Sequence, residues 1–443
     1  MKKYSFLNII CCLLLCIGAF SCSKSDSADV ESLLSTIPSD VSAITVIDLR
    51  SVLEKAGCKI DGEKIVPGKE ILSAVATTGD KRLHSAAELL FGGESGIDPS
   101  VAALFIDGFN TYLCGFVADT EKFKAAAEKE FLEKFTSSDN IEKCGNIAMQ
   151  GNRFWMCVSS RNTIETNSVR HFTTLSENQS ILSSRFAEKL KKLDHDVELW
   201  ADIKALLNAT GADFNSKAMA SVAVESMFAD ASQIEGELDF LKGKMEISLG
   251  VVTAKGDKAK FLFPTAKIDP EVIKGIGADG DAVIAAAISP KMIEKLKEET
   301  SGKGMSMLGI YAMALSCVDG TCAVAVGGEG NLKGIISTDG SSTSGLSEML
   351  SMISVKTENK GKQLLISKGT PSGAINPVDI AADMKGAMLG VALSPKGKLG
   401  GSPVNAGKIR NVTLLVVPKD KSVMLEITAR SNNEKENFIL SLL

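Results

Sequence analysis

One pattern recurs four times along this chain and constrains its fold more than any other feature. It is an apolar strand, then a small polar residue, then a helix. The first copy runs Asp40-Val-Ser-Ala-Ile-Thr-Val-Ile-Asp48 and continues into a helical stretch closed by Gly57. The second runs from Asp196 through Trp200 to Asp202 and closes at Gly211. The third is Asp281–Ile288 followed by Ser289-Pro290, and the fourth, more degenerate, is Gly386–Leu393 followed by Ser394-Pro395. Asp48, Asp202, Ser289 and Ser394 are N-cap residue types, and proline suits the first position of a helix.

Each copy leads on to an alternating hairpin, the signature of half-buried antiparallel strands. Val101–Asp107 pairs with Tyr112–Ala118, and Gly236–Phe240 with Lys244–Val252. Thr321–Val326 pairs with Leu332–Ser337, and Val412–Val417 with Ser422–Ala429. An extra hairpin follows the first copy (Asn146–Gln150 with Arg153–Ser159) and the third (Ser354–Thr357 with Lys362–Ser367). The order predicts an α+β fold from an internal duplication. Two similar lobes, 37–270 and 271–443, would each hold a mainly antiparallel sheet covered by helices on one face.

The N-terminus carries an address. Met1-Lys2-Lys3 is a short positive start, and 6–20 is almost wholly apolar, the pattern of a signal peptide. That run is shorter than the roughly 20 apolar residues a membrane span needs. It ends at Gly18-Ala19-Phe20-Ser21-Cys22, which resembles the bacterial lipoprotein box. Residues 1–21 therefore read as a cleaved signal peptide, Cys22 as the lipidated residue and 22–36 as a flexible tether. A secretory signal with an incidental Cys22 is the alternative. Stable anchoring needs two or more acyl chains, which a lipoprotein cysteine supplies.

Removing 1–21 takes away Lys2 and Lys3 and no acid, so the net charge goes from −5 to −7. That balance argues against a nucleic-acid partner, which calls for a basic footprint. Aromatics are scarce, with Trp155 and Trp200 the two tryptophans, which weakens glycan binding as a role. Free buried thiols are the default reading of the mature cysteines, and Cys317 and Cys322 are the candidate disulfide. A two-residue turn at Asp319-Gly320 would set them directly opposite each other, within bridging reach. Equally, 306–316 reads as a helix that Gly320 ends. Cys144 and Cys157 flank a hairpin whose Gly151-Asn152 turn sets Asn146, not Cys144, against Cys157.

No motif for chemistry holds. Gly275-Ile-Gly277-Ala-Asp-Gly280 has dinucleotide-loop spacing, but a helix precedes it and a strand follows, the inverse of the required order. Neither His84, His171 nor His195 has zinc-protease spacing, and Cys317 and Cys322 lack a second ligand pair for structural zinc. His195, between Asp194 and Asp196, reads as a solvated loop residue with a carboxylate-supported base as the rival reading. Ser95 lacks a nucleophile-elbow spacing. Asp98, Asp107 and Asp119 read as turn and cap residues before cation ligands. In 121–135, Phe123, Ala127, Phe131 and Leu132 form a core-facing stripe. No catalytic, cofactor or metal residue is assigned.

Several segments are similar to a family of Bacteroidota envelope lipoproteins whose shared domain has no assigned function. They are Ile37-Pro38-Ser39-Asp40 with the strand to Asp48-Leu49, Glu94-Ser95-Gly96-Ile97-Asp98, Val117–Phe123, and 178–186 leading into Asp196–Trp200. The resemblance covers most of 37–265 and continues more weakly beyond. It implies an α/β envelope lipoprotein, at the outer membrane, and no activity. The leading expectation is a lipid-anchored, non-enzymatic protein that binds or scaffolds an envelope protein or glycan. It calls for a smooth or apolar groove between the lobes and no convergent ionisable cluster. The rivals are an envelope hydrolase with an unrecognised site, and a passive envelope component.

Overall fold

The computed structural model describes residues 27–61, 64–69, 71–73, 95–159, 164–209, 217, 221, 224–300, 315–395 and 406–442. In the first part of the chain come α1 (Ser27–Leu34), β1 (Ala43–Asp48), α2 (Leu49–Lys55), β2 (Lys59–Asp61), β3 (Lys64–Val66), β4 (Ile97–Asp107) and β5 (Asn110–Val117). They are followed by α3 (Thr120–Phe131), β6 (Thr136–Ser138), β7 (Ile141–Cys144), β8 (Ile147–Gln150), β9 (Arg153–Cys157), α4 (Thr166–Thr173) and α5 (Ala187–Lys192). Next are β10 (Val197–Asp202), α6 (Ile203–Ala209), β11 (Phe228–Ala229), β12 (Ala231–Leu241), β13 (Lys244–Thr253), β14 (Lys260–Phe261) and α7 (Pro270–Lys274). Then come β15 (Ala282–Ile288), α8 (Pro290–Thr300), β16 (Val318–Val326), β17 (Leu332–Thr338), α9 (Ser344–Met352), β18 (Lys356–Lys360) and β19 (Gln363–Lys368). The chain closes with α10 (Pro377–Ala381), β20 (Leu389–Leu393), β21 (Ile409–Lys419), β22 (Ser422–Ser431) and α11 (Phe438–Leu442).

The architecture is mixed α+β, dominated by one 18-stranded antiparallel sheet. Its pairings give the order β6-β7-β8-β9-β5-β4-β1-β10-β12-β13-β22-β21-β20-β15-β16-β17-β19-β18. The small ladders β2–β3 and β11–β14 stand apart from it.

Three of the four expected caps, Asp48, Asp202 and Ser289, fall where the sequence pattern sets them, and the residues after Pro395 that would form the fourth helix lie outside the described residues. Ser51 N donates to Asp48 Oδ1 at 2.8 Å and Ala205 N to Asp202 Oδ1 at 2.8 Å. Met292 N donates to Ser289 Oγ at 3.3 Å, with Pro290 as first residue of α8. Each bond satisfies a helix-end N–H that has no partner inside the helix.

Helices cover both faces of the sheet, not one. On one face, α2, α3 and α11 pack Val52, Leu53, Phe123, Ala127 and Phe438 against Ile47, Val197, Phe240 and Met245. On the other, α1, α4 and α5 pack Val30, Leu33, Leu34, Phe172 and Leu190 against Ile44, Val46, Phe105, Trp155 and Trp200. Further along, α7 and α10 cover one face through Val272, Ile273 and Ile380, while α8 and α9 cover the other through Ile293 and Leu346. Adjacent residues of one strand, such as Val46 and Ile47, supply both layers because side chains alternate across a sheet.

Residues 27–36, read from sequence as tether, are part of this body. Val30, Leu33 and Leu34 have the i, i+3, i+4 spacing of one helical face and are at most 1 % exposed. Burying each contributes about 1.5–3 kcal/mol, which the polar composition of 23–29 obscures. Leu132 also departs from its expected place. It caps α3 in the left-handed region (φ 54°) and is 90 % exposed, so the buried stripe ends with Phe123, Ala127 and part of Phe131.

Candidate functional site

The densest group of ionisable side chains lies where α5, the start of β10 and the end of β12 meet. Strand β12 alternates Gln233, Glu235, Glu237 and Asp239 on one side with Ile234, Gly236, Leu238 and Phe240 on the other. In the β10–β12 ladder Glu198 stands opposite Glu237, two like charges at cross-strand distance. Lys189 of α5 comes between them, 3.4 Å from Glu198 and 3.6 Å from Glu237.

His195 completes the group. Its Nδ1 is 2.6 Å from Asp239 Oδ2 and its Nε2 is 3.3 Å from Glu237 Oε2. Partial burial opposes the imidazolium. The hydrogen bond to Asp239 and the charges of Asp239, Glu237 and Glu198 outweigh that, and its pKa is raised above 6.5. Burial also pushes the Glu198 carboxyl up to about 7, against the attraction of Lys189 and His195. Glu198 Oε2 is buried, with Lys189 as its nearest positive charge at 3.4 Å.

The expected absence of a converging ionisable cluster is therefore overturned. The carboxylates beside His195 are Asp239 and Glu237 of β12, not its chain neighbours. Asp196 turns to the opposite face, where it accepts from Lys55 Nζ at 2.5 Å, Ser51 Oγ at 2.7 Å and Phe240 N at 2.6 Å. Both nitrogens of His195 already face carboxylates. That geometry favours the charged imidazolium. Among the described residues no group of three His, Cys, Asp or Glu side chains is arranged to hold a metal ion.

The remaining candidates fall elsewhere. His171 is exposed on α4. Asp98 accepts from Ser100 N, and Asp119 caps α3 and pairs with Lys122. Asp107 ends β4, where burial raises its pKa. Ser95 is buried and accepts from Ile97 N. Gly275–Gly280 joins α7 to β15, and a Cβ on Gly280 would meet Val326 O at 2.7 Å, so this glycine serves close backbone packing. Cys22, His84, Gly211 and 306–314 lie outside the described residues.

The hairpin that would join Cys317 to Cys322 does not form. Residues 318–326 run as one strand, β16, with an irregularity between Val318 and Cys322 and Gly320 at φ 115°. Both residues are thiols. Burial raises the pKa of Cys317 and pushes Cys322 to about 12. Cys157 pairs with Asn146, as the Gly151-Asn152 turn predicts: Cys157 N donates to Asn146 O at 2.9 Å.

A second surface crosses the middle of the sheet on the α2 and α8 side. Ile284, Val391, Leu414, Ile427, Ile247, Leu238 and Val197 stand opposite one another in successive ladders. Val197 is buried, the next five outward are half-buried and Ile284 is 38 % exposed. Sequence alternation marks each strand as apolar on one side, but only the non-local pairing lines these residues up.

The chain matches no protein-family model and no curated protein. Among solved structures it is similar to crystal form I of TP0453, with a TM-score of 0.29 and 8 % identity over 82 % of this chain and 97 % of that one. Crystal form IV of TP0453 aligns with a TM-score of 0.29 and 10 % identity over 49 % of this chain and 80 % of that one. Likeness at this level carries no argument about fold or function.

Proposed function

We propose that this chain is a lipid-anchored protein of the bacterial cell envelope, at the outer membrane, that binds or scaffolds a partner without catalysis. The apolar row from Ile284 to Leu238 carries the binding half of this reading. A row of partly exposed branched side chains across the middle of a sheet is a surface another apolar molecule can cover. The anchor rests on the signal pattern ending at Cys22 and on the family resemblance. Among the described residues no helix is long and apolar enough to cross a membrane.

We further propose that the body arose by duplication, with lobes at about 37–270 and 271–443 and α1 added to the first. Outward from the β13–β22 pair, one side reads β12, β10, β1, β4, β5, β9, β8 and the other β21, β20, β15, β16, β17, β19, β18. These are the same permutation of chain order. The registers support it as well. Leu241 pairs with Lys244 and Lys419 with Ser422 across two-residue turns, so the hairpins superpose with Lys244 on Ser422. On that superposition the irregularity at Ala231/Gln233 falls on the one at Ile409/Asn411. Ser248 falls on Glu426, its own neighbour across the β13–β22 ladder. A pseudo-two-fold axis normal to the sheet would pass between these two residues, as in an isologous dimer interface.

The test is isolation of the native protein from its own membrane after crosslinking in place, with mass spectrometry of the N-terminus and of what accompanies it. Acylated Cys22 with a reproducible companion that is lost in Ile284→Asp or Ile427→Asp supports the reading. An unmodified Cys22 overturns the anchor. A companion that both variants retain overturns the role of the apolar row.

A further inference from the structure

The position of α1 has a consequence for how the body meets a membrane. Ser27 is the first residue of α1, so five residue steps separate it from Cys22. Whatever their conformation, these steps span at most about 18 Å. The leash does not lengthen freely, because α1 is fixed along its length. Val30, Leu33 and Leu34 are in the core, Arg153 Nη2 donates to Ser32 Oγ at 2.8 Å, and Lys191 Nζ lies 3.4 Å from Glu31.

Set against this reach, the body is thick. Helices lie on both faces of the sheet, with α1, α4 and α5 on one side and α2, α3 and α11 on the other. A helix layer and a sheet are spaced about 10 Å apart, and a helix is about 10 Å across. From the axis of α1 to the outer surface of α2 and α3 is therefore roughly 25 Å, more than the leash. For the α2 and α3 side to rest on a bilayer, Ser27 would stand farther from that bilayer than its anchor allows.

We infer that the face carrying α1 and α5 is turned to the lipid surface and the face carrying α2 and α3 away from it. This rests on the lipid-anchor reading above. The bilayer-facing side then includes α5, where Lys191 stands between Glu31 and the exposed Glu188. The outward side includes Lys129 of α3 and, on the same face of the sheet, the apolar row across its middle, which the leash leaves accessible to a partner from outside the membrane.

The test uses the full lipidated chain in vesicles of phosphatidylethanolamine and phosphatidylglycerol. A benzophenone is attached at Glu188→Cys or at Lys129→Cys, both exposed positions, and lipid adducts are measured after irradiation. Cys58, Cys114, Cys144, Cys157 and Cys317 are buried, and the half-buried Cys322 has its pKa pushed to about 12, so the introduced thiol is the reactive one at neutral pH. At least about tenfold more lipid adduct from position 188 than from 129 is expected. Equal or reversed yields, with Cys22 shown to be acylated, overturn the inference. Inserting a long Gly/Ser segment between Asp26 and Ser27 should abolish the bias, and a bias that survives insertion overturns the leash as its cause. An unmodified Cys22 in a chain that does not float with vesicles overturns instead the anchor reading beneath it.

Discussion

Asp196 shows how much one side chain can hold in this protein. It is 4 % exposed and receives an ammonium, a hydroxyl and a backbone N–H, joining α2, β10 and β12. Replacing it by alanine leaves Lys55, itself mostly buried, without a counter-charge and strips Phe240 N of its acceptor. Breaking one side of a buried pair costs about 3–5 kcal/mol, so Asp196→Ala should lower the urea midpoint strongly. Loss under about 1 kcal/mol would show the network to be dispensable. Glu198 gives a prediction of different form. Its carboxyl ionises near 7 in the folded chain and near 4.5 when unfolded, so the folded state keeps a proton that the unfolded state has released. Stability from this group therefore falls as pH rises from about 4.5 to about 7. His195 acts in the same direction, because its raised pKa gives stability that is full below 6.5 and lost as pH climbs through the folded value. Thermal midpoints between pH 5 and 8 should decline, and Glu198→Gln should remove about 2–3 kcal/mol of that slope. A profile unchanged by the substitution would mean that Glu198 is ionised throughout. The acidic stripe on β12 is plain in its alternation, but its convergence with His195 is not, since 44 residues separate His195 from Asp239.

Among the elements, α1 separates the two readings of the N-terminus. Removing 1–26 should leave the urea midpoint unchanged, whereas removing 1–36 should lower it. Leu34→Ala alone should cost about 2–5 kcal/mol, as a large-to-small change in a close-packed core does. Equal midpoints for the two truncations would return α1 to the tether. The sequence conceals this helix because Ser27, Ala28, Asp29 and Ser32 dominate its composition, while the three residues that bury it are thinly spaced. Strands were far more legible. The alternation in β4–β5, β12–β13, β16–β17 and β21–β22 marks half-buried hairpins whichever helices cover them. Short pairs such as β6–β7 give no such signal, as three or four residues hold too few alternations to stand out.

For the whole molecule, the ladder from Lys244–Arg430 to Gly250–Met424 is the one through which the sheet runs unbroken from end to end. Both tryptophans, Trp155 and Trp200, lie on one side of it, so their fluorescence reports that side, while far-UV circular dichroism reports both. In the unaltered protein the two signals should change together with urea, because a continuous ladder couples the two sides. Ile427→Pro removes an N–H from the ladder and clashes within it, and should split the two transitions apart. Coincident curves in that variant would show that the helices, not the ladder, carry the coupling. Sequence spacing made the recurring strand-and-helix pattern visible; the joining of its strands across β13 and β22 was not, because nothing local in either strand names the one opposite.

That junction also decides what the sheet leaves open. Joining β13 to β22 sets two ten-residue strands against each other and leaves β6 and β18 as the rims among the described residues. The first rim is three residues long and the second alternates Lys356, Glu358 and Lys360, both devices that discourage a further strand from adding. Proteins confined to a plane meet one another edge-on far more often than proteins free in three dimensions. Held at a membrane as proposed above, a sheet with blunt rims would tolerate such crowding, its neighbours colliding repeatedly without zipping into fibres.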